Sequence, residues 1–303
     1  MKLTILTPTY NRAGELADLF RSLERQTVSD FEWLIVDDGS TDGTEQAVRG
    51  WEKTTELPIR YMYKENGGKH TALNLGIREI DSPLTFIVDS DDELPTDAVE
   101  TILRYEERYR GRPELCGFSF LRANRSGEVN GMQYSPDELV DTYTNVRING
   151  HDIYADKAEV FYTRCLKEFP FPEYPGERFL GEDTVWIRMA RKYKMVHINQ
   201  VVYICDYLSG GLTMNRRKHN IQSPLGSMNR GLIFMSREIR TVYRMRGCMQ
   251  YLIYGRFAGY GFGKLVAECP SKPIALLCFI PSALLYADWK RRYMPNDRER
   301  TLP

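Results

Sequence analysis

Three polar clusters carry most of the chemistry this sequence offers. The first is Asp89-Ser90-Asp91-Asp92, with carboxylates at i, i+2 and i+3. Oxygen donors so spaced in a tight turn collect hard cations such as Mg²⁺ or Mn²⁺, and three like charges there repel unless a cation or a donor offsets them. A solvated loop or helix start is the plainer reading of the same residues. The second cluster, Gly67-Gly68-Lys69, suits phosphate through backbone N–H groups and an ammonium at a helix start, or equally a glycine turn followed by a surface lysine. The third is Gly181-Glu182-Asp183, where two acids open a helix either as a general base or as charge favoured by the helix N-terminus.

Missing motifs narrow the chemistry. No Gly-x-Gly-x-x-Gly follows the first strand and no phosphate-binding Gly-x-x-x-x-Gly-Lys-Ser/Thr occurs, which weighs against dinucleotide oxidoreductases and P-loop ATPases. Cys116, Cys165, Cys205, Cys248, Cys269 and Cys278 have no Cys-x-x-Cys or zinc spacing and read as core residues of a reduced, cytosolic protein. His197 and His219 are candidate ligands, although a lone histidine beside a strand is more often structural.

The elements that must position these clusters follow from periodicity. Strands are predicted at Leu3–Thr7, Phe31–Val36, Ile59–Tyr63 and Leu84–Val88, and helices carry Leu16, Leu19, Phe20 and Leu23, then Ala47, Val48 and Trp51, then Leu73, Ile77 and Ile80. This βαβαβαβ succession is the pattern of a parallel sheet wrapped by helices, with ligands at the carboxyl ends of the strands. Further on, Thr96 caps a helix, strands follow at Cys116–Leu121 and Glu159–Thr163, a helix begins near Glu182, and strands Met195–Ile198 and Val201–Cys205 close this part. Met1–Thr7 runs directly into strand-like sequence, so no secretory signal is read and export is not expected.

With 303 residues, 42% hydrophobic and 27% charged, the chain falls outside the disordered, collagenous and disulfide-scaffold classes. Its zero net charge hides an asymmetry: residues 216–303 hold 16 Lys/Arg against 5 Asp/Glu, leaving 25 against 36 in residues 1–215. A basic tail of this kind meets a polyanionic surface, nucleic acid or anionic lipid. From about Ser223 the sequence is helical, basic and aromatic-rich, and its most apolar run, Ile274–Ala287, is 14 residues with Pro281 inside. Such a helix, about 21 Å long, falls short of a hydrocarbon core of about 30 Å.

Pro8-Thr9-Tyr10-Asn11-Arg12, Val36-Asp37-Asp38-Gly39-Ser40-Thr41-Asp42, Asn66-Gly67-Gly68-Lys69 with Asn74-Leu75-Gly76-Ile77, and Asp89-Ser90-Asp91-Asp92 together resemble glycosyltransferase family 2. The resemblance is close over residues 1 to about 98 and thinner to about 215. It implies an α/β fold of GT-A type, a Rossmann-like, mostly parallel sheet flanked by helices. On this reading residues 1–215 form the catalytic domain, with 1–98 the nucleotide-binding half and 99–215 the acceptor half, and 216–303 form a basic helical C-terminal region. Carried over by motif, Pro8, Tyr10, Asn11, Arg12, Asp38, Lys69, Asp89 and Ser90 bind the nucleotide, with Asp38 accepting from the base. Asp89 and Asp91 match the Asp-x-Asp metal motif, with Asp92 a further ligand; Asp183, or else Glu182, is the general base, and Trp186 lies at the acceptor. Many relatives carry a histidine or arginine near the last sheet segment, where this chain has Asp206-Tyr207 and Gly210-Gly211, which leaves a third metal ligand unassigned.

The resemblance implies an inverting transfer from a nucleotide sugar, UDP-linked, to a hydroxyl of a glycan or polyprenyl-linked glycan in bacterial surface polysaccharide synthesis, with Mn²⁺ or Mg²⁺ as cofactor. The rivals are a nucleotidyltransferase of similar fold and a non-catalytic subunit of a polysaccharide assembly complex. The basic C-terminal region, with Trp289-Lys290-Arg291-Arg292-Tyr293 at the edge of its apolar run, points to peripheral contact with the inner face of the plasma membrane and away from nucleic acid, which would bury nothing of the apolar run. Internal packing or oligomerisation through these helices is the alternative.

Overall fold

The computed structural model describes residues 1–150, 156–206 and 216–294. They fall into two units. The first holds Met1–Phe171 with the described part of Arg188–Leu208, and the second holds Pro172–Ile187 with the described part of Ser209–Pro303.

The first unit is built on an eight-stranded sheet of order β3-β2-β1-β4-β7-β5-β8-β6. β1 (Leu3–Thr9), β2 (Phe31–Asp37), β3 (Ile59–Tyr63) and β4 (Leu84–Ile87) are all parallel. β1 sits between β2 and β4 with all seven residues buried, the environment of a strand covered on both faces. Two of its three threonines are paired: Thr4 Oγ1 donates to Glu32 at 2.8 Å and the indole N–H of Trp33 donates to Thr7 Oγ1 at 2.9 Å, whereas Thr9 Oγ1 is buried without a hydrogen-bond partner among the described residues. Leu3 and Ile5 face the core shared with α1 (Ala13–Glu24) and α2 (Thr44–Trp51), where Phe20 stacks on Trp51 with ring centroids 4.6 Å apart. Leu6 and Val36 face α3 (Lys69–Glu79), so closely that a β-carbon on Gly76 would lie 2.4 Å from Leu6 Cδ1.

The other half of the sheet is mixed. β7 (Ala158–Tyr162) runs antiparallel to both β4 and β5 (Leu115–Ala123), while β5 pairs parallel with β8 (Lys194–Ile204). β8 replaces the two short strands expected at Met195–Ile198 and Val201–Cys205; the interruption is a register shift between Ser119 and Leu121 of its partner. β6 (Leu139–Asp141) and a π-helical turn at Thr144–Asn149 lie between β5 and β7, where no element is predicted because three strand residues show no alternation. α4 (Ala98–Tyr109) starts after Asp97, one residue beyond the expected cap at Thr96, and α5 (Thr163–Glu168) follows β7. All six cysteines are free and buried.

In the second unit, α6 begins at Asp183 (Asp183–Met189), and α7 (Arg216–Gln222), α8 (Pro224–Ile233), α9 (Thr241–Phe257), α10 (Phe262–Glu268) and α11 (Lys272–Tyr293) follow. α8 and α9 approach backbone to backbone: a β-carbon on Gly231 would lie 2.5 Å from the Tyr251 nitrogen. Met235, Cys248, Tyr251, Leu252, Leu265, Ile274, Ala275 and Cys278 form the core of this unit. α11 is 22 residues long, well beyond the 14-residue apolar run; Pro273 occupies its first turn, where a proline is tolerated, and Pro281 lies within it at an exposed position. Among the described residues no helix is long and apolar enough to cross a membrane.

Candidate functional site

The parallel half of the sheet gathers four polar loops at its carboxyl edge: Tyr10–Arg12 after β1, Asp38–Asp42 after β2, Lys64–Lys69 after β3, and Asp89–Asp92 after β4. Side chains sew these loops together. The Asn11 N–H donates to Ser40 Oγ at 2.8 Å, and the Thr41 N–H donates back to Asn11 Oδ1 at 2.8 Å. Asp37 accepts from the Ser40 N–H at 2.7 Å and from the Tyr61 hydroxyl at 2.6 Å. Tyr10 is left 47% exposed at the strand end, whereas Pro8 is buried within β1 opposite Val36.

Asp38 is almost fully buried and ties the second loop to the third. It accepts from Lys64 Nζ at 2.7 Å, from the Gly67 N–H at 3.0 Å and from the Gly68 N–H at 2.7 Å. The two glycine N–H groups offered to phosphate by the sequence are therefore committed to a carboxylate of the same chain, and Lys64 is a partner that sequence reasoning missed. The backbone demands glycine here: Gly68 has φ +94°, and Gly39 has φ +90° with its would-be β-carbon 2.8 Å from the Asn66 nitrogen.

The acidic loop is charge-compensated. Lys69, the first residue of α3, places Nζ 2.5 Å from Asp89 Oδ1, and Arg12 pairs with Asp91. Burial opposes ionisation of Asp89, but the charge and hydrogen bond of Lys69, with Arg122 and Arg12 behind it, hold its carboxyl below the ordinary value. Asp92 differs. It is buried and accepts from the Tyr203 hydroxyl at 2.7 Å; burial, then the charge of Asp89, push it up to about 7 against the pull of Tyr203 and Arg122. The same hydroxyl accepts the Asp89 N–H at 3.0 Å, and the Arg122 guanidinium lies over the Tyr203 ring, 3.9 Å from its centroid. Ser90 is buried between the acids.

Among the described residues no group of three or more His, Cys, Asp or Glu is arranged to hold a metal ion. Asp89 and Asp91, 34% and 24% exposed at their side chains, suit an ion held jointly with diphosphate oxygens, the usual manner of Mg²⁺. Asp92 does not suit it, being turned inward onto Tyr203 and drawn toward its neutral form. His197 lies buried in β8 against the Tyr134 ring, 5.0 Å between centroids, and His219 stacks on Phe179 at 5.7 Å. Tyr207, Gly210 and Gly211 lie outside the described residues.

In the second unit, Asp183 opens α6 and meets Arg230 of α8 in a two-pronged pair, Nε to Oδ1 at 2.8 Å and Nη2 to Oδ2 at 2.5 Å. Gly181 gives it room, since a β-carbon there would lie 2.9 Å from Asp183 Oδ1. Burial again opposes ionisation, and Arg230, assisted by Arg216 and the Thr184 N–H, overcomes it and holds the carboxyl below its ordinary value. Glu182 precedes the helix and is half-buried. Trp186 is 4% exposed, between Val185 and Ile187, both wholly buried; the expected acceptor-facing ring is a core side chain, because α6 is apolar around most of its circumference.

Residues 4–112 match the family described as Glycosyl transferase family 2. Over 263 residues the chain is 27% identical to TuaG of Bacillus subtilis, named for teichuronic acid biosynthesis, covering 84% of this chain and 95% of TuaG. It is 29% identical over 194 residues to the poly(ribitol-phosphate) beta-N-acetylglucosaminyltransferase TarS of Staphylococcus aureus, covering 63% of this chain and 32% of TarS. The structure of TarS residues 1–349 superposes with a TM-score of 0.63 at 17% identity, covering 96% of this chain and 92% of that one, and its complex with UDP-GlcNAc with 0.56 at 19% identity, covering 88% and 76%. The mannosyltransferase PcManGT of Pyrobaculum calidifontis, solved with GDP-Man and Mn²⁺, superposes with a TM-score of 0.56 at 19% identity over 97% of this chain and 84% of that chain. These likenesses give the fold, GT-A. This chain spans less than a third of the length of several curated relatives it matches.

Proposed function

Because this chain belongs to glycosyltransferase family 2 through its residues 4–112, we propose that it moves a sugar, with inversion, from a UDP-linked donor to a hydroxyl of a glycan or polyprenyl-linked glycan in bacterial surface polysaccharide synthesis. The observation that carries this reading is the convergence of Tyr10, Arg12, Lys69, Asp89 and Asp91 at one edge of the parallel sheet, where each carboxylate already faces a cation. UDP-GlcNAc in TarS and the teichuronic acid role of TuaG support the donor and acceptor classes. The cytoplasmic side of the membrane suits six free thiols.

The roles follow from chemistry. Tyr10, exposed, offers a ring to the base, while Asp38 and Asn11 fix the loops that carry it. Arg12 and Lys69, paired with Asp91 and Asp89, would exchange these carboxylates for diphosphate oxygens as acceptors of charge-assisted bonds. A divalent ion held by Asp89 and Asp91 with those oxygens would neutralise charge developing on the leaving diphosphate. Asp183 takes the proton of the acceptor hydroxyl as its oxygen bonds to the anomeric carbon and the bond to the diphosphate breaks; Glu182 is the alternative base.

A panel of nucleotide sugars, scored for binding and slow hydrolysis, tests the reading. UDP sugars should bind most tightly, and the anomeric proton coupling of the transferred sugar should report inversion. Release of pyrophosphate from a nucleoside triphosphate, with no sugar transfer, would overturn it.

A further inference from the structure

We propose that the outward face of α11 docks this chain on an anionic membrane surface, the helix lying in the plane of the headgroups. Ile274, Ala275, Cys278 and Ser282 point inward and are buried. The opposite side carries Leu276, Leu277, Ile280 and Leu284, each about two-thirds exposed. The spacing 276, 280 and 284 is the four-residue repeat of one helix face, and exposed Pro273, Pro281 and Ala287 continue it. Large aliphatic side chains in a continuous exposed row mark an interaction surface.

Charge identifies the occupant. Lys272 begins α11, and Lys290, Arg291 and Arg292 occupy its last turn. Asp288 accepts from Arg291 at 3.1 Å and Arg292 at 2.8 Å, so three cations face one acid and the end stays positive. Both ends of the apolar stripe are thus cationic. A second copy of α11, parallel or antiparallel, would set like charge against like charge at each end, whereas an anionic lipid surface meets the stripe with its acyl boundary and both ends with phosphate. The excess of 16 Lys/Arg over 5 Asp/Glu in residues 216–303 acts in the same direction. Trp289 corrects the expectation that it reaches the headgroups. Its ring packs inward, 6.0 Å from Tyr254 and under Arg217 at 4.5 Å, and ties α11 to α9.

Co-sedimentation of the full chain with vesicles tests this without any activity readout. The chain should bind vesicles containing phosphatidylglycerol about tenfold or more better than vesicles of phosphatidylcholine alone, and less well as salt rises. The double variant Ile280→Glu/Leu284→Glu should lose about tenfold or more of that binding, and Arg291→Gln/Arg292→Gln should lose much of the preference for anionic lipid; both replace exposed side chains, and circular dichroism checks their folding. Binding of the Glu variant equal to that of the native chain, or indifference of the native chain to anionic vesicles, would overturn the proposal. So would a lipid-free dimer that the same Glu substitutions convert to monomer, which would assign the face to a second copy.

Discussion

Asp183 and Arg230 meet fork to fork across 47 residues of sequence, and Arg230 is itself held by Gln250 at 3.0 Å and lies over the Phe234 ring at 4.6 Å. A guanidinium braced in this way fixes the orientation of the carboxylate and keeps it ionised in a buried place. Arg230 is therefore a positioning residue for the proposed base. Asp183→Asn should keep donor binding and lose about 10²–10⁴-fold in kcat. Arg230→Gln leaves burial of Asp183 opposed only by Arg216 and the Thr184 N–H, so its pKa rises and the acidic limb of kcat/KM moves to higher pH; Arg230→Lys should restore part of the shift. A pH–rate profile decides, since a purely structural Arg230 would lower thermal stability and leave the limb in place. Near-native turnover in Asp183→Asn would pass the role to Glu182.

The pairing of Asp91 with Arg12 leads to a second prediction. Asp91→Ala removes an oxygen ligand and leaves Arg12 unpaired, so metal-dependent UDP binding should weaken by at least about tenfold and transfer should be lost. Calorimetric titration with UDP, with and without Mn²⁺, measures the first effect. Full transfer by the native chain in excess chelator would reject a metal role for this loop.

Tyr203 should matter more than a strand residue ordinarily does. Its one hydroxyl donates to Asp92 and accepts the Asp89 N–H, and burial keeps it protonated. Tyr203→Phe leaves the buried Asp92 carboxyl and the partly buried Asp89 N–H without this partner and should cost about 1–3 kcal/mol of stability. It should also loosen the loop that carries Asp89 and Asp91, raising KM for the donor. Urea unfolding and donor kinetics measure the two effects separately; a variant unchanged in both would show that Asp92 finds another donor.

What could be read ahead of the structure depended on sequence distance. The first four strands, and the loops at their ends, were legible because strand periodicity and loop chemistry are local. The support of the acidic loop was not: Asp92 looks like a third ligand until Tyr203, 111 residues later, takes its carboxylate. Arg122 and Lys64 were invisible for the same reason, each being one cation among many until the sheet brings it to Tyr203 or Asp38. Trp186, placed at the acceptor by the resemblance alone, is buried, and its neighbours Val185 and Ile187 already mark a helix buried on most sides. The segment Pro172–Ile187, read as part of a catalytic domain of residues 1–215, groups with the C-terminal helices because Asp183 and Glu177 bond to α8.

His197 supplies a prediction about acid stability. It lies wholly buried in β8, with Nε2 3.4 Å from the Asp141 carbonyl oxygen and no partner at Nδ1. Burial lowers its pKa to about 4, and the charge of Arg147 adds to this, while the Asp141 carbonyl and carboxylate work the other way. The folded pKa is below that of the unfolded chain, about 6.5, so the unfolded state binds the extra proton between those values. The contribution of His197 is then fully present above about pH 6.5, falls as pH drops toward 4, and levels off below that, a loss of about 3 kcal/mol in all. Asp89, Asp183 and Asp42, whose pKa values are lowered, give up their contributions only below about pH 4, so the two effects separate on the pH axis. His197→Phe keeps a ring against Tyr134 and removes the titrating group. Its unfolding free energy in urea should lack this loss between pH 6.5 and 4.5, where Asp92, pushed up to about 7, takes up its proton in the folded state and acts in the opposite direction in both proteins; parallel curves for the two proteins would show that His197 contributes nothing in this window.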